Sequence, residues 1–270
     1  MSRQLPHEFE LDLRRACDDA YLRPSPLENP MRKLVEGRLP LAEARQFWLG
    51  RWNRVLVLNQ HILPALLRTC PDLRSRANLW RSVSVEYGEG SYERSHPVLY
   101  ARFLEALGLP EDAHPSVLPS DAETHRLVLA AETASWLELL GAFLARETVG
   151  PKVFGVISQA LRASYGLTDA DVEWFSVHAE GDVDDANDIF DLARHFGTSV
   201  DARERIRGAM HAWFDANREY CCALGPVSLR YADSLRCADS LRCADSLRCA
   251  GSGGDLPAKV SGKGGANALQ

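Results

Sequence analysis

The feature that most constrains the fold of this chain is helical periodicity running through most of its length, against strand patterning that is nearly absent. No sustained period-two alternation and no Asn-Gly or Asp-Gly hairpin occurs. Apolar spacing, caps and breakers predict helices over 7–21, 27–37, 40–69, 72–87, 91–107, 119–149, 151–165, 168–180, 182–196 and 200–223. Pro110, Pro115 and Pro119 fill the connection after the fifth, Ser120 with Glu123 forms a capping box for the sixth, and Gly166 and Thr168 separate the seventh from the eighth. The segments 40–69 and 119–149 would each reach about 45 Å at 1.5 Å per residue, which suits a bundle better than a solenoid of short repeats. The expected fold is one all-α bundle over residues 1–224.

Residues 225–270 change character. SLRYAD, SLRCAD, SLRCAD and SLRCAG follow one another from Ser228 to Gly251, and a Gly-rich polar segment closes the chain. A period of six turns each repeat by about 240° on an α-helix, so its leucines build no continuous face. This tail is expected to be disordered. The rest has material for a core, with 46% hydrophobic residues overall. The 31 basic and 37 acidic residues form no long block of like charge, so nucleic acid is not an expected partner. No run approaches a membrane span and the N-terminus lacks the apolar core of a secretory signal, which makes the cytoplasm the expected location, with no membrane partner. Cys221, Cys222, Cys237, Cys243 and Cys249 crowd the last fifth without Cys-x-x-Cys spacing, and neither a disulfide framework nor structural zinc is expected.

Chemistry enters with WFSVHAEGDVDD, which places His178, Asp182 and Asp185 at i, i+4 and i+7. At about 100° per residue the three share one stripe, and a divalent cation would satisfy all of them together. A solvated acidic face beside one satisfied histidine is the competing reading. Upstream, Glu86 and Glu89 precede His96. Glu89 shares a stripe with His96 if the helix is unbroken, whereas Glu86 needs a bend, for which Gly88 and Gly90 supply the freedom. A polar helix start with a capping histidine is the alternative there. Glu147 stands in the mainly apolar run WLELLGAFLARETVG, where a buried carboxylate needs a partner.

Together, Glu-x-Gly-x-Gly from Glu86, His-Pro-x-Leu-Tyr from His96, Glu147 about thirty residues before His178, and His-x3-Asp-x2 from His178 resemble the heme-oxygenase-like di-iron oxidases. These are relatives of TenA thiaminase and of the pyrroloquinoline-quinone synthase C family. The resemblance covers roughly residues 20–224 and rests on order and spacing together. It implies a bundle of about seven core helices holding iron(II), as two ions, with dioxygen as co-substrate. The implied reaction is oxidation of a small organic molecule, amino-acid-like or fatty-acid-like, in a biosynthetic pathway: oxidative decarboxylation, carbon–carbon cleavage or nitrogen oxidation. Carried over, the ligands are Glu86 or Glu89, His96, Glu147, His178 and Asp182, with Asp185 standing where the family has a histidine. The family also draws a glutamate from a long early helix, where this chain offers Gln60 and His61. That departure keeps open a metal-free oxidase like the quinone synthase branch, or a binding and regulatory relative. Cys17 and Cys70 have no His/Asp arrangement to suit a thiol nucleophile, and a homodimer is the commonest assembly for such bundles.

Overall fold

Apolar helix faces pair with one another throughout the computed structural model of the chain, which describes residues 6–22, 29–114 and 122–223. No strand forms among the described residues. The helices are α1 (Pro6–Leu22), α2 (Pro30–Val35), α3 (Leu41–Val57), α4 (Leu63–Thr69), α5 (Leu73–Glu86), α6 (His96–Ala106), α7 (Ala122–Thr133), α8 (Trp136–Tyr165), α9 (Glu173–Phe196) and α10 (Val200–Ala223). Met1–Ser228 clusters as one compact unit. The hexapeptide repeats, the Gly-rich tail and, of the expected capping box, Ser120 and the Glu123 side chain lie outside the described residues. No described helix is long and apolar enough to cross a membrane.

Helix α8 is the axis of the bundle and packs along both α9 and α10. Gly141 sets the second contact, because a Cβ built there would stand 2.2 Å from the Ile206 carbonyl oxygen. On one side of α8 the core gathers Leu140, Leu144, Phe190, Ile206 and Met210. Elsewhere Trp48 meets Phe47, Phe103 and Phe175 edge to face, with ring centroids 4.8, 5.5 and 5.2 Å away. Tyr100 buries its ring beside this cluster and donates its hydroxyl to the Trp48 carbonyl at 2.8 Å, which ties α6 to α3.

Helices α6 and α9 begin about five residues later than expected, at His96 and Glu173, and three breaks fall differently from the sequence expectation. The predicted helix over 119–149 breaks at Ala134–Ser135, where the Ser135 amide and hydroxyl both donate to Glu138 Oε2 at 2.7 Å and start α8 afresh. The predicted break at Pro151 does not occur. Pro151 removes the bond to the Glu147 carbonyl, at a cost of about 3 kcal/mol, but Leu144 and Ala145 before it and Ile157 and Leu161 after it are all buried, and that packing holds the rod together. Likewise 168–180 and 182–196 join in α9 through Gly181, since one helical glycine costs only about 1 kcal/mol along a helix with so long a packed face.

The segment 40–69 is helical throughout but not uniform. Leu58–Ile62 forms a π-helical turn between α3 and α4, closed by the Leu63 amide on the Leu58 carbonyl. Pro64 explains it: proline has no amide to give the Gln60 carbonyl and its ring crowds that carbonyl, so the turn widens. The extra residue shifts which side chains face inward. Asn59 is buried, Gln60 is exposed, and His61 turns toward α7, its Nδ1 lying 3.5 Å from Glu132 Oε1.

Candidate metal centre

Glu86 closes α5, His96 opens α6, and the turn between them brings the two together. Gly88 takes φ +69, and a Cβ there would lie 2.6 Å from the Ser95 amide nitrogen, so only glycine lets the chain return this closely. Glu89 follows in the left-handed region at φ 52. Its side chain is 58% exposed and pairs with Arg94 at 3.6 Å, outside the cluster that Glu86 joins. The break between α5 and α6 is the reason, because the helical stripe that would align Glu89 with His96 does not exist.

From α9, His178 meets this pair. One donor atom from each of Glu86, His96 and His178 lies within 4.8 Å of the others, and all three residues are buried. The two imidazole rings are 4.3 Å apart between centroids. His178 is walled by Trp174 at 4.2 Å and Phe154 at 5.4 Å. Its Nδ1 lies 2.7 Å from the Trp174 carbonyl, an atom that can only accept; Nδ1 therefore carries the proton, and the Nε2 lone pair is turned to the cluster. Burial, with His96 and Arg146 adding to it against Glu86, pushes the His178 pKa down to about 4. The ring is neutral near pH 7, as a metal ligand must be.

Glu86 is doubly ill placed for a carboxylate, buried and at the negative end of a helix. Burial pushes its carboxyl up, but the Arg146 guanidinium, His96 and His178 outweigh burial and hold it well below the usual carboxylate range. Arg146 Nη2 donates to Glu86 Oε1 at 2.6 Å and lies 3.2 Å from His178 Nε2, while Nη1 pairs with Glu147 Oε1. Glu147 is buried and approaches the cluster through this guanidinium. Asp182 and Asp185 follow His178 along α9, but their side chains lie outside the described residues.

The donors fit a metal on one further observation. Glu86 Oε2 and His96 Nδ1 approach to 2.8 Å, yet neither finds a partner with hydrogen-bond geometry, although both atoms are buried. Buried polar atoms are nearly always bonded, and a buried carboxylate oxygen and imidazole nitrogen this close, neither with full hydrogen-bond geometry, have the arrangement that two ligands of one cation take. Two imidazoles and one carboxylate with open positions suit iron(II).

The cluster opens on a cavity of about 830 Å³. Val55, Leu58, Val153, Phe154, Ile157 and Trp174 form much of its wall; Arg32, Arg51, Arg54, Lys152 and Arg218 join Arg146 as its cations, against the carboxylates of Glu36 and Glu86. Sequence reasoning missed two residues here. Arg146 reads on a helix as a solvated cation, and the one available signal was its place beside Glu147 in an apolar run. Asn59 lines the cavity, with a buried Oδ1 that has no hydrogen-bond partner, where Gln60 and His61 were the sequence candidates.

The sequence pattern of a family described as an iron-containing redox enzyme of heme-oxygenase type matches residues 44–215. Among solved structures, a domain of unknown function with a heme oxygenase-like fold from Shewanella denitrificans OS217 is similar at a TM-score of 0.62 and 14% identity, over 83% of this chain and 93% of that one. A TenA homolog from Pseudomonas syringae pv. tomato DC3000 aligns at 0.62 and 15% identity, over 82% and 95%. A CADD-like protein of unknown function from Nostoc punctiforme PCC 73102 aligns at 0.60 and 16% identity, over 81% and 97%. At such identities these likenesses establish the heme-oxygenase-like fold. No curated protein matches the chain in sequence.

Proposed function

Because this chain belongs to the family of iron-containing redox enzymes, matched over residues 44–215, we propose that it is a non-heme iron oxidoreductase that uses dioxygen to oxidise a small organic substrate. The observation that carries the reading is the convergence of Glu86, His96 and His178 on one buried point. Bound there, iron would supply the redox chemistry with dioxygen. Glu147, Asp182 and Asp185 complete the proposed donor set, enough carboxylate for a second ion.

The chain's own residues bind, orient and exclude water. The Trp174 carbonyl fixes the tautomer of His178, and Trp174 and Phe154 keep that side of the centre dry. Arg51, Arg54 and Arg218 give the cavity a cationic lining that orients an anionic group, while Val153, Phe154 and Ile157 receive an apolar body. That lining favours a fatty-acid-like or aromatic acid over a zwitterion. Anaerobic iron(II) loading followed by metal analysis and oxygen-uptake measurement with a panel of such acids tests the reading. Bound iron and substrate-dependent uptake are expected, and near-zero iron in a folded sample overturns it.

One observation favours a second reading, a metal-free oxidase or binding relative. Arg146 already places a positive charge among the donors. On that reading iron leaves the thermal stability unchanged, and His96→Ala and His178→Ala do not alter its response to the metal.

A further inference from the structure

We propose that Arg146 is an exchangeable counter-cation of the centre: its guanidinium holds Glu86 and Glu147 in the metal-free protein and gives them up to a divalent metal. This rests on the metal-binding reading above. A fixed positioning arginine hydrogen-bonds ligating carboxylates but leaves clear the imidazole lone pair that would meet the metal. Here the guanidinium touches Glu86 Oε1 at 2.6 Å, approaches His178 Nε2 to 3.2 Å and pairs with Glu147 Oε1. Each of these residues belongs to the proposed ligand set, so one group meets the demand that a metal would meet.

The chemistry of the two occupants makes them competitors. Guanidinium offers five N–H donors and no acceptor, so it satisfies carboxylate oxygens and an imidazole lone pair as a cation does, without adding anything a metal could use. Glu86 and Glu147, 4% and 2% exposed, are too buried to stay ionised without a counter-charge. Metal and guanidinium on the same carboxylates repel each other. Arg146 also lines the cavity and keeps its side chain 17% exposed, so a released guanidinium has water on one side. Metal affinity is then the difference between two cations on one set of anions, which makes Arg146 a residue that lowers it.

The test is metal affinity of the full chain, read by anaerobic titration of manganese(II) or iron(II) against a fluorescent chelator at about pH 8, where carboxylates are ionised. Arg146→Gln removes the charge while keeping an amide, and Arg146→Lys keeps the charge but loses the two-pronged geometry. The glutamine variant is expected to bind metal at least about tenfold more tightly than the wild type, with the lysine variant in between. Its metal-free form should melt lower and gain more from metal. Metal binding by the wild type with equal or weaker binding by a folded Arg146→Gln overturns the proposal and makes Arg146 a fixed positioning residue, while the metal reading stands. If Arg146→Gln does not fold, Arg146→Lys decides by the same comparison. No metal bound by wild type or variant overturns both the proposal and the reading beneath it.

Discussion

At the scale of single residues, His178 concentrates the most physical information. Its ring is fixed by one hydrogen bond and kept neutral by its surroundings. In the metal-free protein the folded ring accepts a proton only near pH 4, whereas an unfolded chain accepts one near the ordinary histidine value of about 6.5. Below that value the unfolded state binds more protons, so stability falls as pH falls. Glu86, held low, works in the same direction below the ordinary carboxylate range. Unfolding free energies from denaturant titrations between about pH 7.5 and 4.5 should therefore decline as pH falls, by up to about 1.4 kcal/mol per pH unit for each proton involved. A flat profile would contradict the burial argument. With metal, wild type should gain about 2.7 kcal/mol at a hundredfold excess over Kd, a shift of several degrees in Tm that His96→Ala and His178→Ala abolish. His96 and His178, with Glu86 or Glu89, stood out in the sequence because their order and spacing resemble the iron-oxidase pattern and because buried imidazoles and carboxylates call for a partner. Arg146 did not, because whether an arginine snorkels outward or turns inward is decided by tertiary packing.

At the scale of elements, the connection between α5 and α6 does the most for the site. Sequence left Glu86 and Glu89 as alternatives because the angle of a bend between two glycines cannot be read from spacing. The close approach of Gly88 to Ser95 settles which carboxylate meets His96. Gly88→Ala should cost about 1–2 kcal/mol for the positive φ and about 1–3 kcal/mol more for the clash. Because the clash falls on the residue before His96, metal affinity should drop with helicity by circular dichroism retained. Gly90→Ala, where a Cβ would meet nothing within 4 Å, should show only the backbone cost. The long helices were legible from periodicity, but their ends were not: Pro151 and Gly181 carry local breaking tendencies that extended packing along α8 and α9 overrides. The π turn hid Asn59 for a related reason, since one additional residue per turn rotates everything that a 3.6-residue count would place.

At the scale of the molecule, the all-α bundle was legible as a whole because absent strand signals and long periodic runs agree. Its tail is a separate matter. A chain ended after Ser228 keeps the compact unit Met1–Ser228 intact and is expected to match the full chain in Tm and metal affinity; a marked loss of either would assign the last residues a part in the fold. The donors themselves come from the α5–α6 junction and from α9, far apart along the chain. No local fragment contains the set, so it exists only once distant helices have docked. An ion held there would act after the folding barrier: iron should leave the refolding rate nearly unchanged and slow the unfolding limb of a chevron plot, turning a redox cofactor into a late-closing clasp on the native state.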